Sequence, residues 1–152
     1  MQTRSPIVIP NRLARSTALG GAARAVLLGA PAAWRAPAVI EGSLAELLAP
    51  ATITSVRAHP DDARRAVHVS HRVLRNLARI RPARWRSTCL YRSVTECLVL
   101  RRLGHPARVV IGVGADTGAL GLMAHAWVEC EGMQCLSTRG AAELERLSAR
   151  PA

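Results

Sequence analysis

The apolar pattern of this 152-residue chain changes period at Gly104-His105-Pro106. Before that point apolar residues recur at three- and four-residue spacing, the mark of amphipathic helices; after it they fall in short β-branched runs. Ala107 to Val113 reads as a strand and Ala124 to Cys130 as a second, with Glu131-Gly132 as a hairpin turn into a third from Met133 to Leu136. Helices first and antiparallel strands afterwards make an α+β arrangement, with a helix covering one face of a small sheet. The length suits a single domain. Its expected parts are an N-terminal helical segment over 1–55 and a core over 56–152.

The helical half has clear punctuation. Asn11 to Leu28 keeps helical spacing around a weak point at Gly20-Gly21, and Pro31 is expected to end it. Ser43 followed by Glu46 has the capping-box spacing for a short helix to Leu48. A helix beginning after Pro60, capped by Asp61 or Asp62 and running to about Ile80, buries Ala63, Val67, Val73, Leu74 and Leu77 and carries arginines on its other face. Ser87 or Thr88 caps the next, Cys89 to Leu103, whose inner stripe is Leu90, Val94, Cys97, Leu98 and the stem of Arg101. A final short helix is expected from about Ala141 to Ser148.

Chemistry concentrates at the start of the Cys89 helix. Unpaired N–H groups and the positive end of the helix dipole favour thiolate over thiol, and Arg84, Arg86 and Arg92 lie close in sequence. The same N–H groups can hold the oxyanion formed when a thiolate attacks an acyl carbon. His125 is the histidine placed on a strand, and it is the base such a reaction needs. Cysteine is also among the most buried residue types, so the pattern alone leaves Cys89 open between core and nucleophile. Cys97 lies on an apolar stripe and reads as core. Cys130 and Cys135 have a zinc-compatible spacing only if His68 and His71 complete the set.

A resemblance narrows the choice. Ser87-Thr88-Cys89-Leu90-Tyr91-Arg92-Ser93, then Arg101-Arg102-Leu103-Gly104 and Ile111-Gly112-Val113, then Ala124-His125-Ala126-Trp127-Val128-Glu129 with Gly132, resemble the core of the lasso peptide biosynthesis leader peptidases. These are B proteins of the microcin-processing type, with a transglutaminase- or papain-like fold. The similarity runs over about residues 85 to 137. It implies a cysteine peptidase that removes the leader of a ribosomally made precursor, with Cys89 as nucleophile and His125 as base, and no metal or organic cofactor. The family's third member is an Asp on the strand after the histidine; Ser137 stands there, with Gln134 and Thr88 as orienting or oxyanion candidates. The resemblance also implies partners. Residues 1–60 do not read as the leader-binding domain of fused relatives, so a separate small leader-binding protein is expected, with an asparagine-synthetase-like cyclase acting next. A non-catalytic scaffold that presents the precursor to that cyclase is the alternative.

Charge bears on partners. All 21 basic residues are Arg, and Arg57 to Arg108 holds thirteen of them against Asp61, Asp62 and Glu96, a local balance of +10. Such a field attracts an acidic peptide, an acidic protein or nucleic acid. Arg84, Arg86 and Arg92 are the expected substrate or partner surface. Nucleic acid is disfavoured, because no aromatic residues interleave with the arginines as stacking platforms. No apolar run approaches the roughly 20 residues of a membrane span. The Arg- and Ala-rich opening lacks the layout of a secretory signal, so a cytoplasmic location with reduced thiols is expected.

Overall fold

The computed structural model describes residues 13–49, 51, 58–114, 123–131, 135 and 145–146. Among the described residues four helices, α1 (Leu13–Gly42), α2 (Leu44–Leu48), α3 (Pro60–Ile80) and α4 (Cys89–Arg102), precede three strands, β1 (Ala107–Gly114), β2 (Met123–Cys130) and β3 (Glu145–Arg146). The α+β order expected from the change of period is the one observed.

α3 starts where Pro60 can occupy the first helical position, which needs no amide hydrogen. The cap therefore falls on His59, not on Asp61 or Asp62 as expected. Its backbone is extended, as the residue before a proline prefers, and its Nδ1 accepts the Asp61 amide at 3.3 Å. The two aspartates instead line the first turn, where negative charge suits the dipole, and Asp62 pairs with Arg65 at 2.7 Å. The buried stripe of α3 is Ala63, Ala66, Val67, Ser70 and Leu74.

α1 does not stop at Pro31. It continues through Pro31 and Pro37 to Gly42. A proline inside a helix costs about 3 kcal/mol, and packing offsets that cost. Ala25, Ala32, Ala33, Ala36 and Val39 are all buried, so breaking the helix would strip its apolar face from α3 and α4. Gly29 shows how closely α1 and α3 lie: a Cβ there would stand 2.6 Å from the Ala66 carbonyl oxygen and 2.9 Å from the Ser70 nitrogen. Only a residue without a side chain fits.

α2 forms as expected, but the Ser43 hydroxyl makes no capping hydrogen bond. This short helix is held from its other end. Arg101, expected only to lend its stem to the apolar stripe of α4, donates to the carbonyls of Glu46 (2.9 Å), Leu47 (3.4 Å) and Ala49 (2.7 Å), and to Ala107 at 2.7 Å. A guanidinium on these last carbonyls satisfies acceptors that a five-residue helix cannot, and it complements the negative helix end.

α4 ends at Leu103 and Gly104, whose φ of 80° is the left-handed conformation that terminates helices. The chain then enters β1, which pairs antiparallel with β2 in a register that sets Ala107 opposite Cys130, Val109 opposite Val128 and Gly112 opposite His125. Side chains alternate across this ribbon. Val109 and Val128 join Val94, Cys97 and Leu100 of α4 in the main core. The other face carries the Arg108–Glu129 ion pair (2.9 Å) and the pair Val110–Trp127.

The sheet order is β2-β1-β3. Glu145 and Arg146 pair with Val113 and Gly112 of β1, which corrects the expected helix over 141–148 at these two residues; the rest of that span lies outside the described residues. The two turns of such a helix would be marginal alone, whereas an edge strand offers unpaired amides and carbonyls. Of the expected third strand, Met133 to Leu136, only Cys135 is described; it is buried and belongs to no strand. A smaller cluster of Ala33, Leu74 and Trp85, with Tyr91 against it, closes the helical end.

Candidate active site

Cys89 is the first residue of α4, with Thr88 as its N-cap in extended conformation (φ −80°, ψ 169°). The thiol is partly buried and takes part in no disulfide. The first turn contains no acidic residue, and the Thr88 hydroxyl makes no capping hydrogen bond. The helix end thus presents its positive pole to the sulfur without a side-chain acceptor from Thr88 to quench it. Arg92, one turn on, lies with Nε and Nη2 each 3.4 Å from the Ser87 hydroxyl. Arg84 is drawn over the Trp85 ring, 5.1 Å from its centroid. Arg86 is exposed.

The residue that fixes this turn belongs to the motif around Cys89, but the sequence assigned it no role. Ser93 is fully buried, and its Oγ lies 2.9 Å from the Cys89 carbonyl and 2.8 Å from the Ala126 carbonyl. One hydroxyl proton serves two acceptors, and through it the turn carrying Cys89 is seated against β2 one residue from His125. The available signal was a small polar residue four positions after the cysteine, on the helix face that turns inward.

His125 lies opposite Gly112 and is partly exposed, its ring stacked on Trp127 at 6.2 Å between centroids and 16° between planes. Its Nε2 is buried and has no hydrogen-bond partner among the described residues. Alternation places His125 with Trp127 and Glu129, on the side opposite Val128. β2 is an edge strand of the described sheet. Ser137 and Gln134, the expected third member and orienting candidate, lie outside the described residues.

His71 reaches α4 from α3, with Nε2 3.2 Å from the Arg92 carbonyl. A carbonyl only accepts, so Nε2 carries the proton. Burial holds this imidazole below its ordinary pKa of 6.5; the charges of Arg92, His68 and Arg75 push the same way, and the carbonyl bond opposes them.

The other cysteines differ. Burial pushes the Cys97 thiol up to about 12 in spite of Arg101, and it sits 3.5 Å from the Ala107 carbonyl. Cys135 is likewise pushed up to about 12, first by burial and then by Glu96 and the neighbouring thiols. Neither is a thiolate at neutral pH. Cys97 is core, as its stripe position suggested. No group of three His, Cys, Asp or Glu side chains suited to a metal ion occurs among the described residues, and no described helix is long and apolar enough to cross a membrane.

The family model described as Transglutaminase-like superfamily matches residues 26–149. The chain belongs to that superfamily. Transglutaminase-like chains include cysteine peptidases and transferases, and the matched span takes in α1 from Val26 onward with α2, α3, α4 and all three strands. No curated protein and no solved structure matches the chain.

Proposed function

We propose that this transglutaminase-like chain is a cysteine peptidase that removes the leader from a ribosomally made lasso peptide precursor. The observation that supports the reading most is Ser93, which seats the N-terminal turn of α4 against β2 beside His125. The sequence similarity over residues 85 to 137 supplies the substrate class.

In this reading the imidazole meets the sulfur around the outer edge of β2, since strand alternation keeps His125 out of the α4–sheet core. Cys89 Sγ attacks the scissile carbonyl while His125 takes the thiol proton. The carbonyl oxygen becomes an oxyanion facing the first amides of α4. The intermediate collapses to a thioester, and the amine of the new N-terminus leaves with the proton that His125 held. His125 then deprotonates water, which cleaves the thioester, frees the leader as an acid and returns the proton to sulfur. Buried Nε2 needs an acceptor or donor to hold the ring, the role this reading assigns to Ser137 or Gln134. No step requires a metal or organic cofactor. A small leader-binding protein delivers the precursor, and the lasso cyclase takes the freed N-terminus.

The test is a reconstituted reaction of the precursor, the leader-binding protein and this chain, read by mass spectrometry. Cys89→Ala abolishes leader release, a loss of at least about a thousandfold. Undiminished release by the alanine variant overturns the mechanism. If wild-type protein releases no leader yet stimulates ring closure of a precut precursor, the chain is the scaffold and not the peptidase.

A further inference from the structure

A second feature, on α1 and at the end of α3, has no part in this chemistry. Val26, Leu27 and Trp34 of α1 are 52%, 71% and 57% exposed, and Ile80 at the end of α3 is 74% exposed. These are the large apolar side chains left in solvent among the described residues. Val26, Leu27, Ala30 and Trp34 fall on one side of α1 at helical spacing, and Arg24 and Arg35, both exposed, border that ridge on its outer flank. At its far end the Trp34 ring lies 5.0 Å from buried Trp85, tilted by 45°, and the Arg84 guanidinium covers Trp85. Ile80 precedes Arg81, whose carbonyl accepts the amides of Arg84 (3.1 Å) and Trp85 (3.0 Å) and folds that turn back on the helices.

We infer that this ridge docks an acidic amphipathic helix of a partner protein. The ridge is apolar along its crest and positive along its border. No Asp or Glu precedes Glu41, and none stands between Asp62 and Glu96. The ion pairs among the described residues, Asp62–Arg65, Glu129–Arg108 and His59–Asp61, involve none of these arginines. The complement is therefore a helix with aliphatic residues on one face and carboxylates beside them. A second copy of this chain is the wrong occupant, because it brings Arg24, Arg35 and Arg84 against themselves. A lipid surface is the rival occupant of this crest, and the comparison with anionic vesicles decides for or against it. A nucleic acid gains nothing from Val26, Leu27 and Ile80, and the Arg84 guanidinium is already stacked.

The probe is a fluorescein-labelled helical peptide of Glu and Ala with leucines along one face, titrated by anisotropy into the full chain. The control has the same composition with the leucines spread around the helix. Wild-type protein binds the amphipathic peptide at least about tenfold tighter than the control, and Leu27→Ser or Trp34→Ser removes that preference. Leu27 is so exposed that its substitution leaves the fold intact, which guards against a Trp34 variant that fails to fold. Arg84→Glu weakens both peptides. Equal binding of the two peptides, no binding, or a preference untouched by Leu27→Ser overturns the proposal. Tighter, Leu27-dependent binding to anionic vesicles or single-stranded RNA than to the amphipathic peptide also overturns it. Cys89→Ala binds like wild type, so the peptidase reading stands or falls separately.

Discussion

Two cysteines of one helix, Cys89 and Cys97, show how position decides what a thiol can do. Cys89 stands at the positive end of α4, partly exposed, with no acid in its turn. Cys97, two turns on, is sealed in the core, and burial pushes its thiol up to about 12. The ends of α4 differ in the same sense. At the far end Arg101 gathers four backbone carbonyls from α2, the residues after it and β1. At the near end the Ser93 hydroxyl joins α4 to β2. One end binds the fold together, and the other aims a turn at a strand.

Substitutions at the two ends should therefore separate stability from activity. Arg101→Met strips donors from four carbonyls, so it lowers the unfolding free energy by about 2–4 kcal/mol in urea titration, while leader release per folded molecule stays within a few-fold of wild type. An Arg101→Met protein of full stability, or one that is stable but inactive, breaks the contrast. Ser93→Ala does the reverse. It costs about 1–2 kcal/mol, because buried carbonyls lose a donor, and it lowers kcat by about tenfold, with KM little changed, because the Cys89 turn loses its seat on β2. A Ser93→Ala enzyme with unaltered kcat shows that this hydroxyl only fills space.

How much of this was legible in the sequence follows from which interactions are local. α3, α4, β1 and β2 were readable because their periods are unbroken and their stops, such as Gly104, are short-range signals. Cys89 and His125 stand out in the sequence by residue type in a family pattern, and their proposed roles rest on the Cys89→Ala and His125→Ala experiments. The path of α1 through Pro31 and Pro37 was not, because the local cost of proline is outweighed by alanine packing on α3 and α4. The cap at His59 was missed because Pro60 shifts the helix start away from the better capping residues. β3 and the roles of Ser93 and Arg101 depend on partners far off in the chain, which periodicity cannot encode.

A smaller effect sharpens the view of the Cys89 end. Burial keeps the folded-state pKa of His71 below 6.5, so unfolded chains bind its proton more readily. The stability it contributes is complete above pH 6.5 and is lost as pH falls from there through the lowered folded value. Urea midpoints should drop over that window in wild-type protein and drop less in His71→Gln. Parallel curves remove His71 as the acid-sensitive link between α3 and the first turn of α4.

The central claim is that the His125 imidazole touches the Cys89 sulfur. The direct measurement is the rate at which iodoacetamide alkylates Cys89 at neutral pH, followed by peptide mass spectrometry in wild type and His125→Ala. The account predicts that Cys89 reacts ahead of Cys97 and Cys135, and that loss of the imidazole slows it by at least about tenfold. Equal rates in the two proteins, or a Cys89 that reacts no faster than Cys97, contradict it.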